Sequence, residues 1–227
     1  MLQHLWFPPD ISTYGPRIDF LFELIMWIAL AAWCATMSTM AVFMIRYRHR
    51  PGRKAEYIAG GRRLEIAWTA AAAAVLLALA VVSRSTWAAI ESGGPPGDVF
   101  YKVMGRQFNW EITYPGADGK FGAGKFGARN GFTIPNELHV PVNQVARIEL
   151  TSKDVIHGFY IPTLRLQQDV VPGRTIRVWF KATKIGAYEI ACAQLCGFGH
   201  FGMRGVLTVE SEANYRTWLA AHYAGNR

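Results

Sequence analysis

The segment Cys192-Ala-Gln-Leu-Cys196-Gly-Phe-Gly-His200-Phe-Gly-Met203 places two thiols, an imidazole and a thioether within twelve residues. This is a soft donor set of the kind that suits copper. A blue-copper site uses one cysteine, whereas two cysteines separated by three residues can set both sulfurs across a pair of metal ions. Each thiolate then bridges, and a second histidine must come from elsewhere in the chain. His157 is the candidate: it lies at the end of a predicted strand in TSKDVIHGFYIP, 43 residues before His200. Taken singly, these residues have ordinary readings. Two cysteines in an oxidising compartment form a disulfide, Cys-x-x-x-Cys with histidines holds zinc, and a methionine beside a loop packs. Taken jointly, neither a disulfide nor zinc explains a methionine three residues after a histidine, or the paired Gly197 and Gly199 that keep the loop compact.

The elements that must position these residues divide the chain in two. It has 227 residues, 51% of them hydrophobic, which excludes intrinsic disorder. Three cysteines are too few to frame a disulfide scaffold. The net charge of +8 is concentrated in residues 46–63, where Arg46, Arg48, Arg50, Arg53, Lys54, Arg62 and Arg63 face the single acid Glu56. On one side lies the run Phe20 to Ile45, with one acid, Glu23, and no base; its 26 residues exceed the ~20 that cross a bilayer. On the other, Ile66 to Val82 is free of charge and continues past Arg84 to Ile90. Both runs are predicted membrane helices, with Cys34 packed within the first. The first run is longer than a signal peptide and lacks a basic start, so it is expected to be retained. The positive-inside rule puts the basic loop in the cytoplasm. Residues 1–19 are then an exported N-terminal segment and residues 20–90 a transmembrane hairpin. A basic cluster placed between two spans also excludes nucleic acid as the partner.

Residues 91–98, ESGGPPGD, form a turn-rich linker. Beyond it, HVPV, VARIELTS, GFYIP, RTIRVWFKAT, AYEIACA and GVLTVES alternate with turn signals, which predicts a β-sandwich or barrel over 99–210. The tandem GKFGA at Gly119–Ala123 and Gly124–Ala128 reads as a surface loop. Residues 211–227 are a C-terminal helix and tail, with Ser211 as cap and Tyr215, Trp218, Leu219 and His222 on one face.

With these residues in place, the chain resembles subunit II of the bacterial heme-copper cytochrome c oxidases. The resemblance rests on Cys192-x3-Cys196-x3-His200-x2-Met203 with upstream His157, the two helices, the Gln107-Phe108-Asn109-Trp110 segment and Asp169 to Arg174. It implies a cupredoxin-like barrel holding a binuclear copper centre, CuA. Cys192 and Cys196 would bridge the coppers and His157 and His200 would each terminate one. Met203 and the main-chain carbonyl of Gln194 would be weak axial ligands. It further implies that electrons pass from a c-type cytochrome to this centre and on to heme in subunit I, which carries heme and CuB and reduces oxygen to water with proton translocation. Subunit III would be a neighbour. On the same resemblance Phe108 and Trp110 stand where electrons enter, though either also reads as ordinary core, and Glu65, at the cytoplasmic start of the second helix, stands at the entrance for proton uptake or is an interfacial acid favoured by the helix dipole.

Three positions depart from that pattern. The residue between the copper cysteines is usually a glutamate that helps hold magnesium at the subunit interface. Gln194 is a poorer ligand for a hard dication, so a weak or absent magnesium site is expected. Phe108 stands where a tryptophan is usual. From Pro95 to Arg227 there are 15 Lys and Arg against 10 Asp and Glu, and Lys153 stands where relatives often carry an acid. Complementarity then favours a non-basic donor, or one held within a supercomplex. The alternatives are the CuA subunit of a nitric-oxide reductase and a membrane-anchored copper-binding protein with no electron-transfer role.

Overall fold

The computed structural model describes residues 7–54, 57, 60–91, 93–116, 119–121 and 131–225. Two compact units result: Arg17–Ala88, and a β domain built from Ala89–Arg227 together with the segment up to Pro16.

The first unit holds two long helices, α1 (Gly15–Arg46) and α2 (Arg62–Glu91). Both are long and apolar enough to cross a bilayer, and their most apolar windows have no buried residue within the chain. Such surface, Cys34 included, is expected to face lipid or another subunit. The helix α1 starts five residues before the apolar run at Phe20, because Ser12 Oγ accepts the Gly15 N–H at 2.7 Å and Pro16 occupies the first turn. Part of the basic loop, and the GKFGA repeat beyond Phe121, lie outside the described residues.

The second unit is a sandwich of two five-stranded sheets. Its strands are β1 (Val99–Arg106), β2 (Asn109–Tyr114), β3 (Phe132–Pro135), β4 (Glu137–Pro141), β5 (Val145–Ser152), β6 (His157–Ile161), β7 (Leu166–Val170), β8 (Ile176–Lys181), β9 (Gly186–Cys192) and β10 (Arg204–Glu210). One sheet runs β3-β2-β1-β5-β8 and the other β4-β10-β9-β6-β7. Most neighbours are antiparallel, but β1 pairs with β5, and β4 with β10, in parallel. Alternating side chains build the core. Tyr101, Val103, Ile112, Ile148, Leu150 and Phe180 from one sheet are buried, as are Leu138, Phe159, Ile161, Ile190 and Leu207 from the other. Six of the strands coincide with the segments named from the sequence; β1, β2, β3 and β7 were not among them.

Two further pieces close this domain. The segment before α1 joins it through an Ser12–Ala182 bridge and bonds from Ile11 N to Thr163 O and from Thr183 N to Ile11 O. Ile11 and Tyr14 are buried by these contacts. The C-terminal helix α3 (Glu212–Gly225) starts at Ser211, whose Oγ accepts the Asn214 N–H, and lays Trp218 on the His139 ring at 4.0 Å. Tyr215 reaches the interior and meets the Tyr101 hydroxyl at 2.9 Å. Replacing Tyr215 with Phe leaves the buried Tyr101 hydroxyl without its partner. Urea unfolding of the detergent-solubilised chain, followed by the β-sheet circular dichroism signal, should show a loss of about 1–2 kcal/mol.

Candidate metal centre

The chain brings all the sequence-predicted donors to one end of the sandwich. His157 opens β6, Cys192 ends β9, and the loop from Ala193 to Met203 returns the chain to β10. Register explains how residues 35 apart meet: Phe159 of β6 pairs with Cys192, and Tyr160 with Ala191, so His157 lies just beyond the end of β9. The loop is then tied at both ends. Cys192 N–H donates to Met203 O at 3.1 Å, and Ala193 N–H donates to Gly158 O at 2.9 Å. Inside the loop, His200 N–H reaches Gly197 O and Gly202 N–H reaches Gly199 O, which folds His200–Gly202 into one tight turn.

Distances within the cluster form a chain of contacts. His157 Nδ1 is 4.0 Å from Cys192 Sγ, the two sulfurs are 3.8 Å apart, Cys196 Sγ is 3.7 Å from His200 Nδ1, and Met203 Sδ is 3.9 Å from Cys196 Sγ. Cys192 Sγ donates to the Gln194 main-chain oxygen at 3.2 Å, while the Gln194 side chain is exposed. Among the described residues, His157, Cys192 and Cys196 are the one group of three such donors whose ligand atoms lie within 4.8 Å of one another. The donor set fits a metal. Two metal–sulfur bonds of about 2.3 Å placed end to end exceed the 3.8 Å separation, so a single ion can touch both sulfurs. Burial and the neighbouring Cys192 push the Cys196 thiol up to about 11, so without a cation it keeps its proton.

Several supporting residues were not assigned roles from the sequence. Asp154 Oδ1 lies 2.9 Å from His157 Nε2, which turns Nδ1 toward the sulfurs. Asp154 is itself fixed by a turn: Ser152 Oγ donates to Val155 O, Val155 N–H donates to Asp154 Oδ1, and Gln107 N–H donates to Asp154 Oδ2. Burial alone would raise the Asp154 carboxyl, but hydrogen bonds from Gln107, His157 and Val155 outweigh it and leave its pKa below the usual range. The spacing Asp-x-x-His was the available signal. Gln107 Nε2 also donates to Cys196 O at 2.7 Å. Two glycines act by lacking a side chain. A Cβ on Gly158 would sit 2.9 Å from Gln194 N, and one on Gly105 would sit 2.9 Å from His157 Cδ2.

The two aromatic candidates differ. Trp110 is fully buried, edge-on to the His157 ring at 5.9 Å. Phe108 is 39% exposed and lies over the loop, where a Cβ on Gly199 would come within 2.5 Å of its ring and one on Gly197 within 3.2 Å. The compactness read from this glycine pair therefore has a specific cause: it seats Phe108. Glu65 is not part of this cluster; it stands exposed in the first turn of α2, its N–H donating to Gly61 O.

Comparison with known proteins finds one family across both parts of the chain. A family model described as "Cytochrome C oxidase subunit II, periplasmic domain" matches residues 99–210, and one described as "Cytochrome C oxidase subunit II, transmembrane domain" matches residues 2–85. The chain is similar to the alternative cytochrome c oxidase subunit 2 of Bradyrhizobium diazoefficiens, at 29% identity over 94% of this chain and 83% of that one. It is also similar to cytochrome c oxidase subunit 2 of Thermostichus vulcanus, at 27% identity over 97% of this chain and 80% of the other. Among solved structures, the periplasmic domain of subunit II of cytochrome oxidase from Bradyrhizobium japonicum shares 34% identity, covering 56% of this chain and 94% of that one, with a TM-score of 0.47.

Two outcomes follow from the geometry. Asp154→Ala frees the His157 ring and should weaken copper binding roughly 10–100-fold in a chelator competition. Because the Cys196 proton must leave before a metal binds, copper affinity measured between pH 6 and 8 should rise with pH, by about tenfold per unit for each thiol proton displaced.

Proposed function

The chain belongs to the cytochrome c oxidase subunit II family, and is a membrane-anchored subunit of an oxidoreductase complex of the heme-copper type. From that premise we propose that it is the electron-input subunit of such an oxidase, carrying a binuclear copper centre on the outer face of the bacterial plasma membrane. The convergence of His157, Cys192, Cys196, His200, Met203 and the Gln194 carbonyl on one point carries this reading.

The Cys192 and Cys196 thiolates and the His157 and His200 imidazoles would hold the two copper ions as the strong donors, with Met203 Sδ and the Gln194 carbonyl as weak ones. When bound, that group stores one electron shared between two metals. The chain's own contribution is rigidity. Asp154 holds the His157 ring, Gln107 holds the Cys196 carbonyl, and β6 and β10 hold both ends of the loop, so the donors need move little as the charge changes. Trp110 packs behind His157 out of reach of any partner. Phe108, at the surface and against the loop, is the aromatic side chain through which an outside donor makes contact.

Charge and exposure support the rest of the assignment. The segment before α1 hydrogen-bonds to the domain that follows α2, so both lie on one side of the membrane and the basic loop on the other. On the copper loop, Leu195, Phe198 and Phe201 are 79%, 96% and 79% exposed, an apolar surface suited to cover by the heme-bearing subunit I. Electrons would leave the centre there, toward the heme at which oxygen is reduced. Glu65, at the cytoplasmic start of α2, would offer its carboxylate where proton uptake begins. Gln194, neutral and exposed, gives magnesium no carboxylate at the same interface.

Electron paramagnetic resonance of the full chain loaded with copper tests the centre. The expected spectrum is a multi-line hyperfine pattern from one electron shared by two copper nuclei, with two coppers per chain. A pattern confined to one copper, at one copper per chain, would sink the reading.

A further inference from the structure

On the outer face of the β3-β2-β1-β5-β8 sheet lies a cleft of about 490 Å³ whose walls include Lys102, Met104, Glu149, Lys153 and Arg174. Strand register sets its character. Lys102 of β1 pairs with Glu149 of β5, and Glu149 pairs with Arg177 of β8, all on the face opposite the buried Tyr101, Val103, Ile148 and Leu150. Glu149 is engaged by Arg177, Nε to Oε1 at 3.1 Å. Lys102 lies over the Phe121 ring, and among the described residues neither Lys153 nor Arg174, both exposed, has a carboxylate partner. Asp154, next along from Lys153, spends its oxygens on Gln107, Val155 and His157. The cleft therefore has a surplus of positive charge.

Its floor lies one backbone layer from the metal centre. Met104 lines the cleft, and the adjoining Gly105 has no side chain, so the His157 ring rests directly on the β1 backbone. Lys153 N–H donates to Gly105 O at 3.0 Å. The residue after Lys153 is Asp154, which reaches His157 Nε2 at 2.9 Å. The routes through Met104–Gly105 and through Lys153–Asp154 each reach the His157 ring across a single contact or hydrogen bond. Gln107 N–H also donates to Asp154 Oδ2, which ties the β1–β2 turn to the same residue.

We infer that this cleft is where the electron donor docks, and that the donor presents a carboxylate-rich face to Lys102, Lys153 and Arg174. The inference rests on the electron-transfer reading above and names the charge of the partner that reading requires. Long-range attraction between the two faces speeds encounter and fixes orientation, and added salt screens it.

The test uses one heme protein in two charge states: a basic soluble cytochrome c, and the same protein with its lysines succinylated. In its ferric form the succinylated probe should bind the metal-free full chain, in detergent at low salt, at least about tenfold more tightly than the unmodified one, and lose that advantage as salt is raised. In its ferrous form it should reduce the copper-loaded chain faster. The variant K102E/K153E/R174E should reverse both preferences while keeping the circular dichroism and copper spectra of the parent. Tighter binding of the unmodified cytochrome, or a variant that binds both probes as the parent does, would overturn the cleft assignment even where the copper centre is reduced rapidly. Charge-dependent binding with no reduction of a loaded centre would overturn the electron-transfer reading, and with it the cleft's role as a donor site.

Discussion

Two sulfur atoms held 3.8 Å apart are the constraint on which this domain turns. Burial first, and the neighbouring Cys192 second, push the Cys196 thiol up to about 11, so a pair of bare thiolates at that separation is disfavoured. A free loop would let its cysteines swing apart. Here the loop cannot, because it is tied to separate elements: Met203 O at the start of β10, Gly158 O on β6, and the Gln107 side chain from the β1–β2 turn. The β1–β2 turn belongs to one sheet and the β6 and β10 anchors to the other, so the cluster is assembled only when the sandwich closes.

That dependence separates what was legible in the sequence from what was not. Cys192, Cys196, His200 and Met203 fall within twelve residues, and their spacing is a local property that survives without the fold. His157 was found because a second imidazole was chemically required and the chain has few histidines. The supporting residues have no such local mark. Gly105 and Gly158 matter because a Cβ at either would strike a His157 ring atom or the Gln194 backbone, and nothing nearby in the sequence distinguishes them among 22 glycines. The missed strands have a physical reason too. The edge strand β7, Leu-Gln-Gln-Asp-Val, buries only its two ends, and β3 is four residues ending in proline. Neither carries the alternating apolar pattern that identified β5 or β10.

The helices show the converse. Their apolar runs were evident from composition, because lipid demands a continuous apolar surface whatever the tertiary contacts. Both helices begin before their apolar runs: α1 at Gly15, where the Ser12 cap and Pro16 start it while Arg17 and Asp19 interrupt the run, and α2 at Arg62, four residues before Ile66. Cys34 was expected to pack and stands exposed on α1. Within a single chain a spanning helix shows no partner for such a residue.

Burial across the donor set gives the centre a direction. His157, Met203 and Cys196 are buried, whereas Cys192 and His200 are only partly covered and the side chains of Leu195, Phe198 and Phe201 project beyond them. The site is thus sealed toward the core and open at the loop. The cationic face lies elsewhere, across β1 from His157, where Gly105 leaves only backbone between the two. An apolar surface at the His200 end and a charged one at the His157 end select partners by different forces, one by exclusion of water and the other by screened attraction. The two surfaces share no residue.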